Sequence, residues 1–409
     1  MSISRRRFIH ATALATIGTR LAVDSVFGRA ASAARIDSTL VVVFLRGGVD
    51  GLAIAAPYAD EEYYRVRPTI ALGPPRRGEP NSAIDLDGFF GLHPALWPLK
   101  PLYDEKLLAI VHAVGAYDST RSHFVAQEFM ETGSVANGPP KSGWLGRCAE
   151  STPGRGLTKV VGLSPFVPRS VVNRDGAFVT SNVASSVLAP TGWADEAERL
   201  LEDLYANRRD VVGGTGRAGL QAMRIVRSNR AFAIQPANGA VYPDTSLGHA
   251  MTEAAQFIKS GVGTRCIFVN VEAHYDTHQN QASSNATDFA DLAGSLDAFR
   301  TDIGSALEKT LILVVSEFGR TVRENGSKGT DHGTAGAMMA LGGSVAGGRV
   351  LGNWPGLAKD RLHEQRDLRV TTDFRDLFTE VAAHHLGVPA TTRLFSGYVS
   401  GKEVGLFRG

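Results

Sequence analysis

One stretch in the C-terminal third of the chain places the strongest constraint on its fold. Residues 311–315 form a continuous apolar run that leads within two residues to Glu317, and a glycine-rich segment with Asp331 and His332 follows. An unbroken apolar run of this length predicts a strand buried on both faces of a sheet. Open α/β sheets carry catalytic groups and metal ligands at the carboxyl ends of their strands. We therefore expect a functional site here, with a salt-bridged glutamate and a capping aspartate as the alternative.

A second buried strand is predicted over residues 39–45, and it ends in the turn Arg46-Gly-Gly-Val-Asp50. The two glycines permit a tight turn and a close approach of a ligand to the backbone. Asp50 then lies just past the carboxyl end of the strand, a position that suits a metal ligand. The alternative is that Asp50 caps the next helix.

A third strand, predicted over residues 265–271, runs into a segment that contains Glu272, His274, Asp276 and His278. The last three residues alternate along an extended segment, so their side chains share one face. Two imidazoles and a carboxylate that converge in this way suit a divalent transition metal. A single histidine is more often structural, but three ligand-capable side chains at one strand end favour a site.

The segment after a strand predicted over residues 107–114 places hydroxyl groups and an imidazole at the start of a helix. Arg121, Ser122 and His123 precede a helical pattern that ends at Gly133, a typical C-cap residue. A nucleophile at a helix N-terminus benefits from the positive end of the helix dipole, which stabilises an oxyanion there. The alternative is that Ser122 is a plain N-cap.

The N-terminus has the pattern of a cleaved export signal. Residues 1–33 combine the run Ser4-Arg-Arg-Arg-Phe-Ile9, a modest apolar region and small residues at 31–33, as in twin-arginine signals. The apolar region is too short for a membrane span, so we predict no stable membrane anchor. Removal of this segment takes away five arginines and one aspartate and changes the formal net charge from +2 to −2. We therefore predict recognition by the twin-arginine export machinery, a periplasmic or secreted bacterial protein, and no nucleic-acid partner.

Residues 34–409 are predicted to form a single α/β domain with an insertion around residues 165–245 that contains small β elements and helices. The chain is 43% hydrophobic and 21% charged, which is typical of a folded globular protein. Alternation of strands with helices favours a mainly parallel sheet. The sequence contains two cysteines, Cys148 and Cys266, so that one disulfide bond is possible and a cysteine metal cluster is excluded. Amphipathic spacing predicts helices over residues 193–206, 216–233, 246–259, 287–307 and 372–386.

The motifs at these positions together resemble a known family. They are the twin-arginine start, Phe44-Leu-Arg-Gly-Gly-Val-Asp-Gly-Leu52, Thr120-Arg-Ser-His-Phe124, Tyr275-Asp-Thr-His278, Ser316-Glu-Phe-Gly-Arg-Thr321 and Gly329-Thr-Asp-His-Gly333. This set is similar to the exported domain-of-unknown-function family 1501 over essentially the whole mature chain. The resemblance implies membership of the alkaline phosphatase and sulfatase superfamily. It therefore implies a three-layer α/β sandwich with a mainly parallel central sheet, alkaline phosphatase-like in its fold.

Members of that superfamily hydrolyse or transfer phosphate or sulfate esters with one or two divalent metals and a nucleophile at a helix N-terminus. By resemblance, Asp50 corresponds to the acid after the first strand, and His332 corresponds to the last histidine ligand. The central run of acid and histidine ligands is matched by Glu272, Asp276 and His278.

This chain departs from the superfamily pattern at two places. Glu317 and Phe318 stand where an Asp-His pair is usual. The residue ten positions before Gly133, where the sulfatase nucleophile lies, is His123, with Ser122 one position away. The sequence also contains no Cys-x-Pro-x-Arg motif, which disfavours an ordinary sulfatase.

The leading hypothesis is a metal-dependent hydrolase of phosphate or sulfate esters that acts on a small anionic ester or a glycan-type substrate. Zinc, manganese or calcium would be held by members of the set Asp50, Glu272, Asp276, His278, Glu317, Asp331 and His332. The nucleophile would be Ser122, His123 or a water molecule, while Arg121, Arg320 or Arg46 would neutralise the anion. The alternatives are a non-catalytic exported binding protein that keeps a structural metal and, less favoured, a metal-dependent redox enzyme.

Overall fold

The structure is a computed structural model that describes residues 38–118, 120–134, 142–154, 156–183, 194–228, 235–389, 394–395 and 397–408. The predicted export signal at residues 1–33 lies outside the described residues, so it stays a prediction. Among the described helices, none combines the length and the apolar character that a membrane crossing requires.

A nine-stranded sheet forms the middle layer of the fold, and a three-stranded sheet lies beside it. The strands are β1 Thr39–Arg46, β2 Ala55–Ala56, β3 Ile84–Asp85, β4 Gly91–Leu92, β5 Leu108–Gly115, β6 Val160–Leu163, β7 Phe178–Thr180, β8 Cys266–Glu272, β9 Thr310–Val315, β10 Gly336–Gly342, β11 Arg349–Leu351 and β12 Thr372–Asp373. The order across the large sheet is β11-β5-β10-β9-β1-β8-β6-β7, with β12 paired to β5. β10 is antiparallel to its neighbours β5 and β9, and the other described pairs of this sheet are parallel.

Helices cover both faces of the large sheet, which makes the three layers. They are α1 Gly51–Ile54, α2 Glu61–Val66, α3 Lys100–Asp104, α4 His123–Thr132, α5 Trp144–Ser151, α6 Ala194–Ala206, α7 Val211–Ser228, α8 Ser246–Ser260, α9 Gln281–Ile303 and α10 Phe374–His384. Successive residues of β1 point to opposite faces. Val41 and Val43 belong to a core that includes residues of α8 and α9, and Leu40 and Val42 belong to a second core with residues of α5 and α10. The predicted three-layer sandwich with a mainly parallel sheet is confirmed.

Two parts of the chain differ from the sequence-based expectation. The described part of segment 165–245 contributes β7, which pairs in parallel with β6 in the large sheet, and helices α6 and α7. A separate small sheet, in the order β2-β4-β3, lies within residues 55–92, a segment in which the sequence analysis predicts no strand. Its strands are two residues long, too short to leave a periodic signal in the sequence. Cys148 and Cys266 are buried and free.

A buried ion pair joins the β1–α1 turn to the segment after α2. The Asp50 side chain accepts a hydrogen bond from the Leu52 backbone N–H, so it caps α1. Its two carboxylate oxygens also accept hydrogen bonds from both terminal nitrogens of the Arg67 guanidinium, at 2.5 and 3.0 Å. Asp50 and Arg67 are 1% and 0% exposed. The guanidinium also donates to the backbone carbonyls of Thr321 and Val322, which follow β9. This pair therefore ties three segments of the chain together below the sheet edge.

We predict that Arg67→Met lowers the free energy of unfolding by about 3–5 kcal/mol, because it leaves the Asp50 carboxylate buried without its cation. Denaturant unfolding followed by circular dichroism, in the presence of a chelator, measures this change without a contribution from bound metal. Lys100→Met is the control, since its ion pair with Asp104 lies at the surface and is worth about 1 kcal/mol at most. Equal effects of the two substitutions would contradict the proposed role of Arg67.

Candidate metal centre

The parallel arrangement brings distant parts of the chain to one edge of the large sheet. Strands β1, β5, β8 and β9 run in the same direction, so their carboxyl ends share this edge. β10 runs in the opposite direction and therefore begins there. The segments that meet at the edge are residues 46–50, 116–118 with 120–123, 272–280, 316–321 and 329–335. The segments that the sequence analysis singled out after separate strands therefore lie at this one edge.

A glycine turn after β1 fits closely under the neighbouring loops. Gly47 and Gly48 have φ angles of +121° and +66°, a region that favours glycine. A Cβ atom on Gly48 would lie 2.3 Å from the ring of Phe318. The turn directs the Gly47 N–H to the Glu317 carboxylate at 3.0 Å. Replacement of either glycine by a larger residue would push apart the turn and the segment that carries Glu317.

Two antiparallel segments position Arg320 and His332 opposite one another. Arg320 and His332 form an isolated β-bridge. Two backbone hydrogen bonds flank this bridge, from Thr321 N to Asp331 O and from Gly333 N to Gly319 O, both 2.9 Å. Regular pairing of this kind fixes the direction of the side chains on each segment. The His332 ring is therefore held by backbone structure as well as by its own contacts.

Four side chains converge at the sheet edge: His123, Asp276, His278 and His332. The Nε2 atom of His332 lies 3.1 Å from Nε2 of His123 and 3.1 Å from Nε2 of His278. The Asp276 carboxylate lies 3.1 Å from Nε2 of His332, 3.0 Å from Nε2 of His278 and 3.5 Å from Nε2 of His123. His123, Asp276 and His332 have the mutual spacing of a metal-binding group, and His278 lies beside this group, next to Asp276 and His332.

The second nitrogen of each ring faces an oxygen acceptor. Nδ1 of His123 lies 2.7 Å from the Glu317 carboxylate, and Nδ1 of His278 lies 3.0 Å from the Asp331 carboxylate. Nδ1 of His332 lies 2.9 Å from the backbone carbonyl oxygen of Arg121. Since these oxygens accept hydrogen bonds, Nδ1 carries the proton in each ring, and Nε2 keeps a free lone pair. Histidine ligands of metals are oriented by outer partners of this kind.

The Nε2 atoms of His123 and His332 and the Asp276 carboxylate face one point, and their lone pairs repel one another unless a positive charge lies between them. A single proton can bridge only one pair of these atoms, whereas a metal ion can bind all three. A tetrahedral ion with ligand bonds of about 2.0–2.1 Å keeps its donor atoms about 3.3 Å apart. The separations of 3.1–3.5 Å within this group of three fit this requirement. The residues present therefore fit a divalent metal ion.

Electrostatics at the centre keep Glu317 ionised. Burial acts to raise the pKa of the Glu317 carboxyl, but hydrogen bonds from His123, Gln127 and the Gly47 backbone outweigh it and hold the pKa below its usual value. The hydrogen bond with Glu317 in turn raises the pKa of His123. A carboxylate–imidazole pair of this type makes Nε2 a stronger donor to a metal ion.

The pKa values of His332 and Asp276 are shifted toward the protonation states that metal binding needs. Burial is the main cause that lowers the pKa of His332, which favours the neutral imidazole. Burial acts to raise the pKa of Asp276, and the hydrogen bond from the Arg320 guanidinium outweighs it, so the pKa lies below its usual value. The distance from Arg320 Nη1 to the carboxylate is 2.6 Å. Asp276 is therefore ionised and oriented by Arg320.

Sequence reasoning missed residues that support Glu317. The Gln127 amide donates to the Glu317 carboxylate at 2.9 Å, and the Ser316 hydroxyl donates to it at 3.0 Å. Arg46 donates to the Gln127 side-chain oxygen at 2.7 Å and so fixes that amide. Gln127 lies four positions after His123, on the same face of α4. That spacing is the signal in the sequence that could have identified it.

Four of the predicted metal ligands, Asp50, Glu272, Glu317 and Asp331, lie outside the group of four converging side chains. The Asp50 carboxylate forms an ion pair with Arg67 and accepts a hydrogen bond from the Gln281 amide at 2.6 Å. Asp50 is therefore a helix cap, which was the alternative interpretation of this residue. Glu272 is exposed at the end of β8 and accepts a hydrogen bond from Asn270 at 3.2 Å. His274 points away from Asp276 and lies near Asp288, with 87% of its side chain exposed. Glu317 and Asp331 contact ligand histidines rather than the centre itself.

The predicted catalytic residues are placed differently from the expectation. His123, expected as a nucleophile or general base, is one of the four converging donors. The Arg121 guanidinium binds Asp367 and Glu364, and Arg320 binds Asp276 and the Thr330 carbonyl. Both cations are therefore engaged with acceptors of this chain.

Ser122 occupies the N-cap position of α4, where its side chain makes no capping hydrogen bond. It is exposed. Within the described residues, its hydroxyl contacts none of the four donors. The backbone N–H groups in the first turn of α4, next to His123, therefore donate no hydrogen bond to a side-chain cap.

Comparison with known proteins gives a family and several low-identity structural likenesses. A sequence search of curated proteins found no match. The chain is similar to the zinc complex of the C-terminal periplasmic domain of EcEptC from Escherichia coli, with a TM-score of 0.34 and 10% identity over 75% of this chain and 73% of that one. It is also similar to the PsFucS1 sulfatase from Pseudoalteromonas sp., with a TM-score of 0.34 and 11% identity over 96% and 76% of the two chains.

An alkaline phosphatase from the Antarctic bacterium TAB5 shows a TM-score of 0.30 and 12% identity, over 75% of this chain and 92% of that one. A sulfatase and an alkaline phosphatase are thus among the similar structures. The family profile described as "Protein of unknown function (DUF1501)" matches residues 109–393. The chain belongs to the DUF1501 family.

Proposed function

We propose that this protein is an exported, metal-dependent hydrolase of phosphate or sulfate esters. The observation that carries the proposal is the convergence of Nε2 of His123, Nε2 of His332 and the Asp276 carboxylate within 3.1–3.5 Å, with the Nδ1 atom of each ring anchored to an oxygen. Imidazole donors favour zinc over calcium, which prefers oxygen ligands. A divalent ion held there would polarise the ester oxygen and make water a stronger nucleophile.

Room for a substrate beside the ligands supports a catalytic rather than a closed structural site. The side chains of Asp276 and His278 are 44% and 45% exposed, and those of His123 and His332 are 24% and 26% exposed. A structural metal site is usually closed by its ligands, whereas a catalytic one keeps an open position. The exposed side of this group offers that position.

The chain's own residues would bind and orient the anionic ester. The first turn of α4 begins at His123 and has no side-chain cap from Ser122. Its free N–H groups and the positive end of the helix dipole attract an anion. Glu317 and Asp331 keep the protons of His123 and His278 on Nδ1, and Arg320 holds Asp276 in place. Ser122 makes no contact with the donors within the described residues, so we favour attack by water.

We predict that His332→Ala abolishes stoichiometric binding of zinc or manganese. It removes one of the three donors, so the affinity should fall by more than the about 10–100-fold that loss of an outer partner costs. Isothermal titration of the chelator-treated protein and elemental analysis measure the change. His274→Ala, at an exposed histidine outside the group, is the control and should bind metal like the wild type. Unchanged affinity in His332→Ala would remove this residue from the site.

Glu317→Gln should weaken metal affinity about 10–100-fold, because the neutral amide no longer polarises the His123 ring. Glu272→Gln provides the control, since Glu272 also follows a strand but lies outside the group of four. The same titration applies, and thermal melting of both metal-free variants checks their folding. If the two variants bound metal equally well, the outer role of Glu317 would be refuted.

We expect the mature protein loaded with zinc or manganese to hydrolyse an aryl phosphate, a phosphodiester or an aryl sulfate. Asp276→Asn should lower kcat/KM by about 10²–10³-fold, as loss of one electrostatic stabiliser does. Ser122→Ala should retain activity if water is the nucleophile, and a comparable loss there would assign the attack to the hydroxyl. Metal binding without turnover of any of these esters would favour the alternative of a non-catalytic metal-binding protein.

A further inference from the structure

A cleft of about 400 Å³ opens beside the metal centre, on the outer side of Asp331. Its floor is apolar and consists of the buried side chains of Val66, Val322, Leu357 and Leu362. Its rim carries four cationic side chains: Arg65, Arg323, Lys359 and Arg366. Ligand sites typically combine an apolar concave surface of this size with a few polar groups.

Two of the rim cations lack an acidic partner in the described part of the chain. Arg65 pairs with Glu62, and Arg366 lies 3.3 Å from Asp367. Arg323 and Lys359 are exposed, and neither forms an ion pair or a side-chain hydrogen bond with a described residue. Both are therefore available to an anionic ligand.

The acids that line the cleft are already occupied. The Glu324 carboxylate accepts hydrogen bonds from the backbone N–H groups of Thr69 and Ile70 and from the Thr69 hydroxyl, at 2.9–3.1 Å. The Asp331 carboxylate accepts from His278 and Asn325. Acceptors that are satisfied in this way compete weakly for the rim cations, so the cleft keeps a positive character.

Two connections join the cleft to the metal centre. Asp331 lines the cleft and also anchors Nδ1 of the ligand His278. On the other side, the Arg121 guanidinium binds Asp367, next to Arg366 in the cleft wall, while its carbonyl oxygen anchors His332. A molecule whose ester group reaches the four donors can therefore extend into the cleft.

We propose that this cleft binds a second oxyanion group of the substrate, so that the enzyme acts on molecules with two or more sulfate or phosphate groups. Arg323 and Lys359 contact this second group, and the apolar floor packs against the ring that carries it. The inference rests on the proposed function for the reaction, but binding in the cleft can be measured without turnover. Guanidinium and ammonium groups recognise such oxyanions by charge-assisted hydrogen bonds.

Isothermal titration of the chelator-treated protein tests the cleft directly. The probes are a disulfated disaccharide, a hexose bisphosphate, the unmodified disaccharide and inorganic sulfate. We expect the double variant Arg323→Ala/Lys359→Ala to bind the better of the two multiply charged probes at least about tenfold more weakly, since it loses two charge-assisted contacts. The double control Arg361→Ala/Arg369→Ala removes the same two charges from exposed positions outside the cleft lining and should bind like the wild type.

Three results would overturn the proposal: equal binding by the double variant and the wild type, equal affinity of the wild type for the charged and unmodified sugars, or equal affinity for free sulfate and the sulfated disaccharide. The metal-loaded enzyme supplies a separate readout. Its KM for a disulfated substrate should rise in the double variant, while its KM for a small aryl sulfate and its metal content stay unchanged. Cleft binding without any ester turnover would support the cleft and refute the hydrolase assignment.

Discussion

Two imidazole nitrogens and a carboxylate lie within 3.5 Å of one another at the sheet edge, with the His278 imidazole beside them, and their mutual repulsion is the constraint on which the site depends. The rings cannot turn away to relieve it, because Glu317, Asp331 and the Arg121 carbonyl each hold an Nδ1 proton. An arrangement of this kind is stabilised by a cation at its centre. The residues around it can therefore be understood by how they keep the donors in place.

The supports belong to regular structure and buried pairs rather than to free loops. Gln281 donates to Asp50 and accepts hydrogen bonds from the hydroxyls of Thr277 and Thr330, which neighbour the donors Asp276 and His278 and the outer acid Asp331. Asp50 is in turn paired with Arg67. Buried networks of this kind are costly when one partner is missing. Asp50, which was expected to bind metal, therefore supports the site through Gln281.

The cations near the site fall into two groups, those paired with acceptors of the chain and those without such partners among the described residues. Arg46, Arg121 and Arg320 have acceptors within the chain, so they position other side chains. Arg323 and Lys359, on the cleft rim, have no such partners among the described residues. Recognition of an anionic substrate would then fall to the metal ion, the N-terminus of α4 and the cleft. This division separates residues that hold the donors from residues that select the ligand.

Local patterns were sufficient to predict much of this architecture. The apolar runs at 39–45 and 310–315 are buried strands, as unbroken apolar runs of strand length predict. The helix that begins after Ser122 ends at Gly133, also as expected. The antiparallel direction of the strand at residues 336–342 was not evident, because an apolar run carries no information about orientation. The two-residue strands of the small sheet left no period to detect.

The sequence by itself determined which residue types could bind metal and that they follow strands of a parallel sheet. Only the tertiary structure decided which of them meet. His123 joins the donors, while Asp50, Glu272 and His274 do not, because ligation depends on side-chain direction and on competing partners over distances of a few ångströms. Asp50 is taken by Arg67 and His274 faces Asp288. Such competition arises between residues far apart in the chain, so no local pattern records it.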